Sequence, residues 1–237
     1  MSRFERVSGT SVPTYLMRRR GAEVHAVLTG VGTRSVQDEL RNLLSNSADL
    51  CISSGLAGGL RKEYCAGTIL AAKSVKTTAT DREMQSDESL VVVAGESGAV
   101  VTDFFFTADA VVNSPGEKLC LGKIAAAVDL ESFHVLNEAA KIGVPAVAVR
   151  ALSDAVETDL AIDFNRIIDD RGQIGWLPAL HEIAKARKRV PQLVRFGFES
   201  SRAARHLSHF LDRYVEHLIG TVCIRDLSFE VRRAETK

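Results

Sequence analysis

The sequence predicts an α/β protein, and three observations carry that prediction. Short apolar runs suited to buried strands alternate with stretches whose apolar residues recur at helical spacing. Two of those runs lead into glycine-bearing segments, Gly30-Val31-Gly32 and Gly55 to Gly59, as strands do before a turn. The third observation is a complete unit: Ile124 to Val128 is a continuous apolar strand, Phe133 to Ile142 carries a helical pattern, and Val144-Pro145 restarts a strand through Val149. A βαβ crossover of this kind lays a helix over a largely parallel sheet and sets functional residues just past the carboxyl ends of its strands. Asp129-Leu130-Glu131 and Ser153-Asp154 hold such positions.

Composition narrows the class of partner. The 237 residues are 46% hydrophobic and 25% charged, enough to bury a core, and no Pro/Gly/Ser-rich linker divides the middle of the chain. Thirty Lys+Arg against thirty Asp+Glu give a formal net charge of zero, which argues against a nucleic acid or an anionic membrane and for a small molecule. No apolar run is long enough to span a bilayer, and the polar start Met1 to Arg6 is no signal peptide, so the cytoplasm is the expected location. Cys51, Cys65, Cys120 and Cys223 lack CxxC spacing and are expected to be reduced thiols, mostly buried.

Along the chain, Thr14 to Arg19 and Ala22 to Thr29 flank Arg20-Gly21, which predicts a hairpin with Arg18-Arg19-Arg20 as a solvated turn. Val24 to Leu28 leads through Gly30-Val31-Gly32 into a helix marked by Val36, Leu40, Leu43 and Leu44. Leu50-Cys51-Ile52 is the next strand, ending in Ser53 to Leu60; further strands are expected at Thr68 to Ala72 and within Ala99 to Asn113. The last third is helical, with one helix from Trp176 to Arg189. A stripe running from Leu193 through Phe196, Ser200, Ala203, Ala204, Leu207, Leu211, Tyr214 and Val215 to Leu218 is expected to face the core.

Among candidate chemical groups, Gly55, Gly58 and Gly59 could bring backbone amides up to a phosphate, a water or a sugar oxygen, or could form a plain tight turn. A dinucleotide fingerprint fails because Ser35 stands at the third glycine position, and no Walker A motif is present. Glu131 could accept hydrogen bonds from two adjacent hydroxyls or serve as a helix-start acid. Asp154 could give a proton to a leaving group or cap a turn. His206 and His209 share a helix face, but no carboxylate-plus-His pattern completes a metal site, so no metal is expected.

Taken together, Thr29-Gly30-Val31-Gly32, Ser54 to Leu60, Ala127-Val128-Asp129-Leu130-Glu131-Ser132 and Val149 to Asp154 resemble the purine nucleoside phosphorylase and methylthioadenosine/S-adenosylhomocysteine nucleosidase superfamily in wording, order and separation. The resemblance covers roughly residues 10 to 165 and is strongest to the hopanoid-associated phosphorylases, which share Gly-Leu-Ala-Gly-Gly-Leu and a similar helical C-terminus. It implies a three-layer αβα fold, a twisted mixed sheet flanked by helices, as one domain over 1–237 with a helical C-terminal extension at about 176–220. Implied too are cleavage of the N-glycosidic bond of a purine nucleoside or an adenosylated hopanoid precursor, no cofactor, phosphate as a possible co-substrate, and a homodimer.

Residue by residue, the resemblance makes Asp154 the acid at purine N7, with Ser153 positioning the base. Glu131 holds the ribose hydroxyls and Leu130 packs beneath the sugar in place of the usual Met. Val111 and Val112, in the segment Asp109 to Asn113, cover the base, with Val111 where the nucleosidases usually have Phe. The amides of Leu56, Ala57 and Gly58 face the nucleophile. Such chemistry fits an N-glycosidic bond, which breaks with positive charge growing on the sugar and negative charge on the base.

One departure stands out. Members of the group open with an apolar strand, a glycine turn and a water-activating Glu, whereas residues 1 to 13 contain no apolar strand. Either the start codon was assigned too late, or the chain lacks one central strand and an acid or base; in the second case the expectation is a sheet without its usual first strand and an impaired or inactive enzyme. Phosphate needs cations, and Arg34 is the only nearby candidate in sequence. The favoured reading is adenine release by a phosphorylase-like enzyme with the acceptor open. Two alternatives are a non-catalytic purine-binding protein and an interaction protein built on the C-terminal helix.

Overall fold

The computed structural model describes residues 4–10, 12–30, 37–45, 48–77, 80–160, 162–166, 182 and 189–234. β1 (Glu5–Arg6), β2 (Thr14–Arg19) and β3 (Ala22–Val27) form a three-stranded antiparallel sheet of their own. Between β2 and β3, Arg20 and Gly21 both adopt positive φ, 49° and 83°. Two successive positive φ values are the mark of the two-residue turn whose twist suits a hairpin. The arginines of that turn do more than sit in solvent. Arg18 pairs with Glu23, but Arg19 reaches Asp212 at 2.6 Å and Glu216, and Arg20 reaches Glu216 at 2.7 Å, so the hairpin is strapped to the C-terminal helix.

α1 (Gln37–Ser45) buries Leu40 and Leu44, as its spacing predicts. The preceding turn, with Val31, Gly32, Arg34, Ser35 and Val36, lies outside the described residues. The main sheet comprises β4 (Cys51–Gly59), β5 (Ile69–Thr77), β6 (Thr80–Gln85), β7 (Val100–Thr107), β8 (Ala127–Asp129) and β9 (Ala146–Asp154) in the order β6-β5-β7-β8-β4-β9. β5 also pairs with β9, so β5, β7, β8, β4 and β9 close a circuit. The sheet is mixed: β7 parallels β5 and β8, β4 parallels β9, and the two sets meet antiparallel.

That topology corrects the expected crossover. The helix between β8 and β9, α4 (Ser132–Lys141), is where the pattern puts it, but β4 lies between the two strands, antiparallel to β8 and parallel to β9. They are therefore neither neighbours nor parallel. Other corrections are local. The glycines Gly55 to Gly59 continue β4 instead of turning. β8 is short, with Ile124 exposed before it, and Asp109 to Asn113 is not strand. Cys65 and Cys120 are exposed and Cys51 is partly buried, against the expectation of mostly buried thiols.

Helices cover both faces, and β9 shows why its sequence reads as one apolar run. Val147, Val149 and Ala151 pack with α2 (Glu88–Glu96) and the long helix α5 (Val190–Ala234), whereas Ala146, Ala148 and Leu152 pack with α1 and α4. A strand covered on both sides has no polar face to alternate with. In α5, Ala203, Leu207, Phe210, Tyr214 and Leu218 are buried, so the stripe is core as expected, although Ala204 is exposed. Tyr214 donates its hydroxyl to Leu90 O at 2.8 Å, fixing α5 to α2. The helix expected from Trp176 to Arg189 falls almost entirely outside the described residues. Among the described residues no helix is long and apolar enough to cross a membrane.

Two helices went unread in the sequence despite ordinary signals. Asp87 caps α2 by accepting from Leu90 N at 3.1 Å. α3 (Pro115–Leu121) opens with Ser114 as cap, proline in its first turn and Glu117 three residues on, which is a capping-box pattern.

Candidate active site

The site grows from the glycine strand. On β4, Gly58 stands in register with Val128 of β8 and with Asp154 of β9. The register shifts between Ala57 and Gly58: Ala57 faces Leu152 and Gly58 faces Asp154, so Ser153 is the extra residue of a bulge. Bulges re-aim side chains at the ends of strands. A Cβ on Gly58 would lie 3.3 Å from Val128 Cγ1, on Gly59 2.7 Å from Asp154 O, and on Gly55 3.3 Å from Arg150 Nη1. These glycines are what let the ends of β8 and β9 close on β4. Leu56 and Ala57 stand opposite Ala151 and Leu152, and Leu56 is exposed.

Just past β8, Glu131 precedes α4 without capping it through its side chain. Its carboxylate lies 3.7 Å from Arg150 Nη2. Arg150 is 1% exposed, and it donates from Nε to Asp129 Oδ2 at 2.7 Å and from Nη2 to Ser53 Oγ at 3.2 Å. Asp129 Oδ1 accepts from Thr107 Oγ1 at 2.8 Å and from Ser132 N at 3.2 Å, while Oδ2 also accepts from the Ser132 hydroxyl. Burial pushes the Asp129 carboxyl up, but Arg150 and the two hydroxyls outweigh it and hold the group below the usual carboxylate range. Arg150 was missed as a site residue, and Asp129 was placed at a strand end without a role. An arginine inside an otherwise apolar strand was the available signal, because a buried charge requires a partner. Arg34, the cation suggested by sequence proximity, lies outside the described residues.

At the end of β9, Asp154 is 3% exposed and both its oxygens are engaged. Ser153 Oγ lies 2.5 Å from Oδ1 and 3.2 Å from Ala57 O. Oδ2 accepts from the Lys118 ammonium, whose nitrogen also donates to Thr158 O at 2.9 Å. Lys118, on α3, is 1% exposed, and no local feature of the sequence marks it.

The segment expected to cover a base follows β7. Asn165 clasps Val111 from both sides, accepting from its amide at 2.7 Å and donating to its carbonyl at 3.0 Å. Val112 packs onto a cluster of Leu60, Phe106, Ala125 and Val128, next to Gly58. Leu130 is partly buried between Asp129 and Glu131. The structure thus gathers Glu131 with Arg150, Asp154 with Ser153 and Gly58, and Val112 with Val128. His206 and His209 are exposed, and His206 Nδ1 meets Gly67 O at 3.1 Å. Among the described residues no group of His, Cys, Asp and Glu could hold a metal.

No protein-family model matches the chain, and no curated protein matches it. Solved structures do. A methylthioadenosine/S-adenosylhomocysteine nucleosidase from Neisseria meningitidis, in complex with methylthio-immucillin-A, superposes with a TM-score of 0.67 at 18% identity over 90% of each chain. The chain has the nucleosidase fold. Native futalosine hydrolase of Helicobacter pylori gives 0.68 at 18% identity over 91% of this chain and 89% of its own. The nucleosidase of Colwellia psychrerythraea in complex with adenine gives 0.64 at 16% over 91% and 86%. These structures share the mixed sheet flanked by helices that the nucleosidase resemblance implies.

Proposed function

We propose that this chain breaks the N-glycosidic bond of a purine nucleoside and releases the base, with water as the acceptor. The observation that carries the reading is the position of Gly58, flanked in register by the strand that leads to Glu131 and by Asp154 itself. Cleavage needs an anionic grip where the sugar turns positive and a proton source where the base turns negative. Glu131 serves the sugar hydroxyls, Asp154 with Ser153 serves the base, and Leu130, Val111 and Val112 supply the apolar walls. The amides of Leu56, Ala57 and Gly58 face the attacking molecule. Similarity in fold to nucleosidases solved with adenine and with methylthio-immucillin-A supports the substrate class.

Charge among the described residues supports water as the acceptor. Arg150, the cation beside Ser53, is already matched by Asp129 at 2.7 Å and faces Glu131 at 3.7 Å. A phosphate dianion brought there would meet two carboxylates, whereas water carries no charge to be repelled. Hydrolysis is therefore favoured over the phosphorolysis that the sequence resemblance allowed. An adenosylated hopanoid precursor is the finer substrate candidate, and a homodimer the expected assembly.

Chromatography of base released from methylthioadenosine, adenosine and inosine, with and without phosphate, tests the reading. Release without phosphate is expected, and Asp154→Asn should lower it by about 10²- to 10⁴-fold, the usual worth of a proton-transfer group. Release from none of the three would overturn it. A second reading, a purine-binding protein that does not cleave, is favoured by one observation: both Asp154 oxygens already accept hydrogen bonds. Calorimetry showing adenine bound and nucleoside bound intact would select it.

A further inference from the structure

Lys118, the buried partner of Asp154, has no part in the scheme above. A lysine almost wholly removed from water is costly unless its charge is matched, and Lys118 is 1% exposed. It donates to Asp154 Oδ2 and to Thr158 O, two of the three bonds an ammonium can make. Ser153 takes the other Asp154 oxygen. A carboxylate that accepts on both oxygens has no hydrogen of its own to offer a departing base. Of its two donors, the ammonium is by far the stronger acid, since an alcohol hydroxyl gives up a proton only to very strong bases.

We propose that Lys118 supplies, through Asp154, the proton that the departing purine takes up. Lys118 is then a positioning residue that acts through the carboxylate, and the proposal rests on the glycosidic-cleavage reading. As the C1′–N9 bond breaks and its electron pair moves into the purine ring, the Lys118 ammonium gives a proton to Asp154, leaving a neutral amine, and Asp154 passes that proton on to N7. Water adds to C1′ and loses a proton to solvent, and a proton from solvent restores the ammonium. The sum is nucleoside plus water giving base plus ribose, with no other reactant. An aspartate and a lysine can exchange a proton without creating net charge, which suits a pair of buried side chains.

A lysine that only anchors α3 to β9 would behave differently on two substrates. The test compares adenosine with chloropurine riboside, whose electron-poor base leaves with less need of a proton. Lys118→Arg keeps the charge pair, but a guanidinium does not give up its proton. Lys118→Gln keeps a hydrogen bond without the charge and serves as the second variant should arginine not fit; thermal melting establishes which variants fold. With adenosine, kcat of a folded variant should fall by about 10²- to 10⁴-fold with KM little changed, and with chloropurine riboside by less than about tenfold. Equal losses on both substrates, or a folded variant with the kcat of the unaltered chain, would overturn the assignment. Failure of the unaltered chain to cleave either nucleoside is a separate result, which removes the cleavage reading and this inference with it.

Discussion

Arg150 and Asp129 meet across 2.7 Å with both side chains out of water, so neither charge can be removed without stranding the other. Asp129 titrates lower in the folded chain than its usual value, because Arg150, Ser132 and Thr107 outweigh the opposing effect of burial. A carboxyl group lowered on folding adds stability that is complete above its unfolded value, about 3.9, and is lost as the pH falls through the folded value. Asp129→Asn should therefore cost about 3 kcal/mol at pH 7, since it leaves Arg150 buried with only Glu131, at 3.7 Å, to match its charge. It should also flatten the acid limb of stability below about pH 4. Urea midpoints followed from neutral to strongly acid pH check both; an acid limb as steep as that of the unaltered chain would count against the pair.

Glu131 is proposed to grip the ribose hydroxyls, and that role can be separated from general damage. The unaltered chain should cleave adenosine faster than its 2′-deoxy analogue. Glu131→Ala should narrow this preference by about 10- to 150-fold, corresponding to one charge-assisted hydrogen bond of about 1.5–3 kcal/mol. The ratio of kcat/KM for the two substrates is the measurement. An unchanged ratio, whatever the absolute rates, would place Glu131 away from the sugar.

The glycines of β4 are there for close approach, and two substitutions contrast them with a spare one. Gly59→Ala would put a methyl group 2.7 Å from the Asp154 carbonyl oxygen, so the end of β9 must shift. A loss of about 1–3 kcal/mol is expected, with loss of activity. Gly116→Ala, in α3, meets nothing within 4 Å and should gain up to about 1 kcal/mol from helix propensity. Denaturant unfolding of the two variants should move in opposite directions.

Thiol reactivity should follow burial. Burial pushes the Cys51 thiol up to about 11, so little thiolate exists at pH 8, whereas Cys65 and Cys120 are exposed. Iodoacetamide with peptide mapping should label Cys65 and Cys120 well before Cys51. Equal rates at the three positions would contradict the placement of β4.

What the sequence settled by itself is local. Arg20-Gly21 between two strand-like runs determined the hairpin, the unbroken apolar run at Ala146 to Val149 marked a strand covered on both faces, and the spacing of Ala203, Leu207, Tyr214 and Leu218 fixed the buried side of α5. Acids near the ends of β8 and β9 were legible for the same reason, Glu131 just past β8 and Asp154 as the last residue of β9: strand ends can be read from a few neighbouring residues. Tertiary structure alone decided the rest. It ran β8 antiparallel to β4, drew the glycines into the sheet, placed Lys118 on Asp154 and tied Arg19 to Asp212. Hydrophobic periodicity tells which side of an element is buried, but it is silent on what lies opposite. Partners far apart in the chain are chosen only when whole elements pack, and a buried charge shows its counterpart only then.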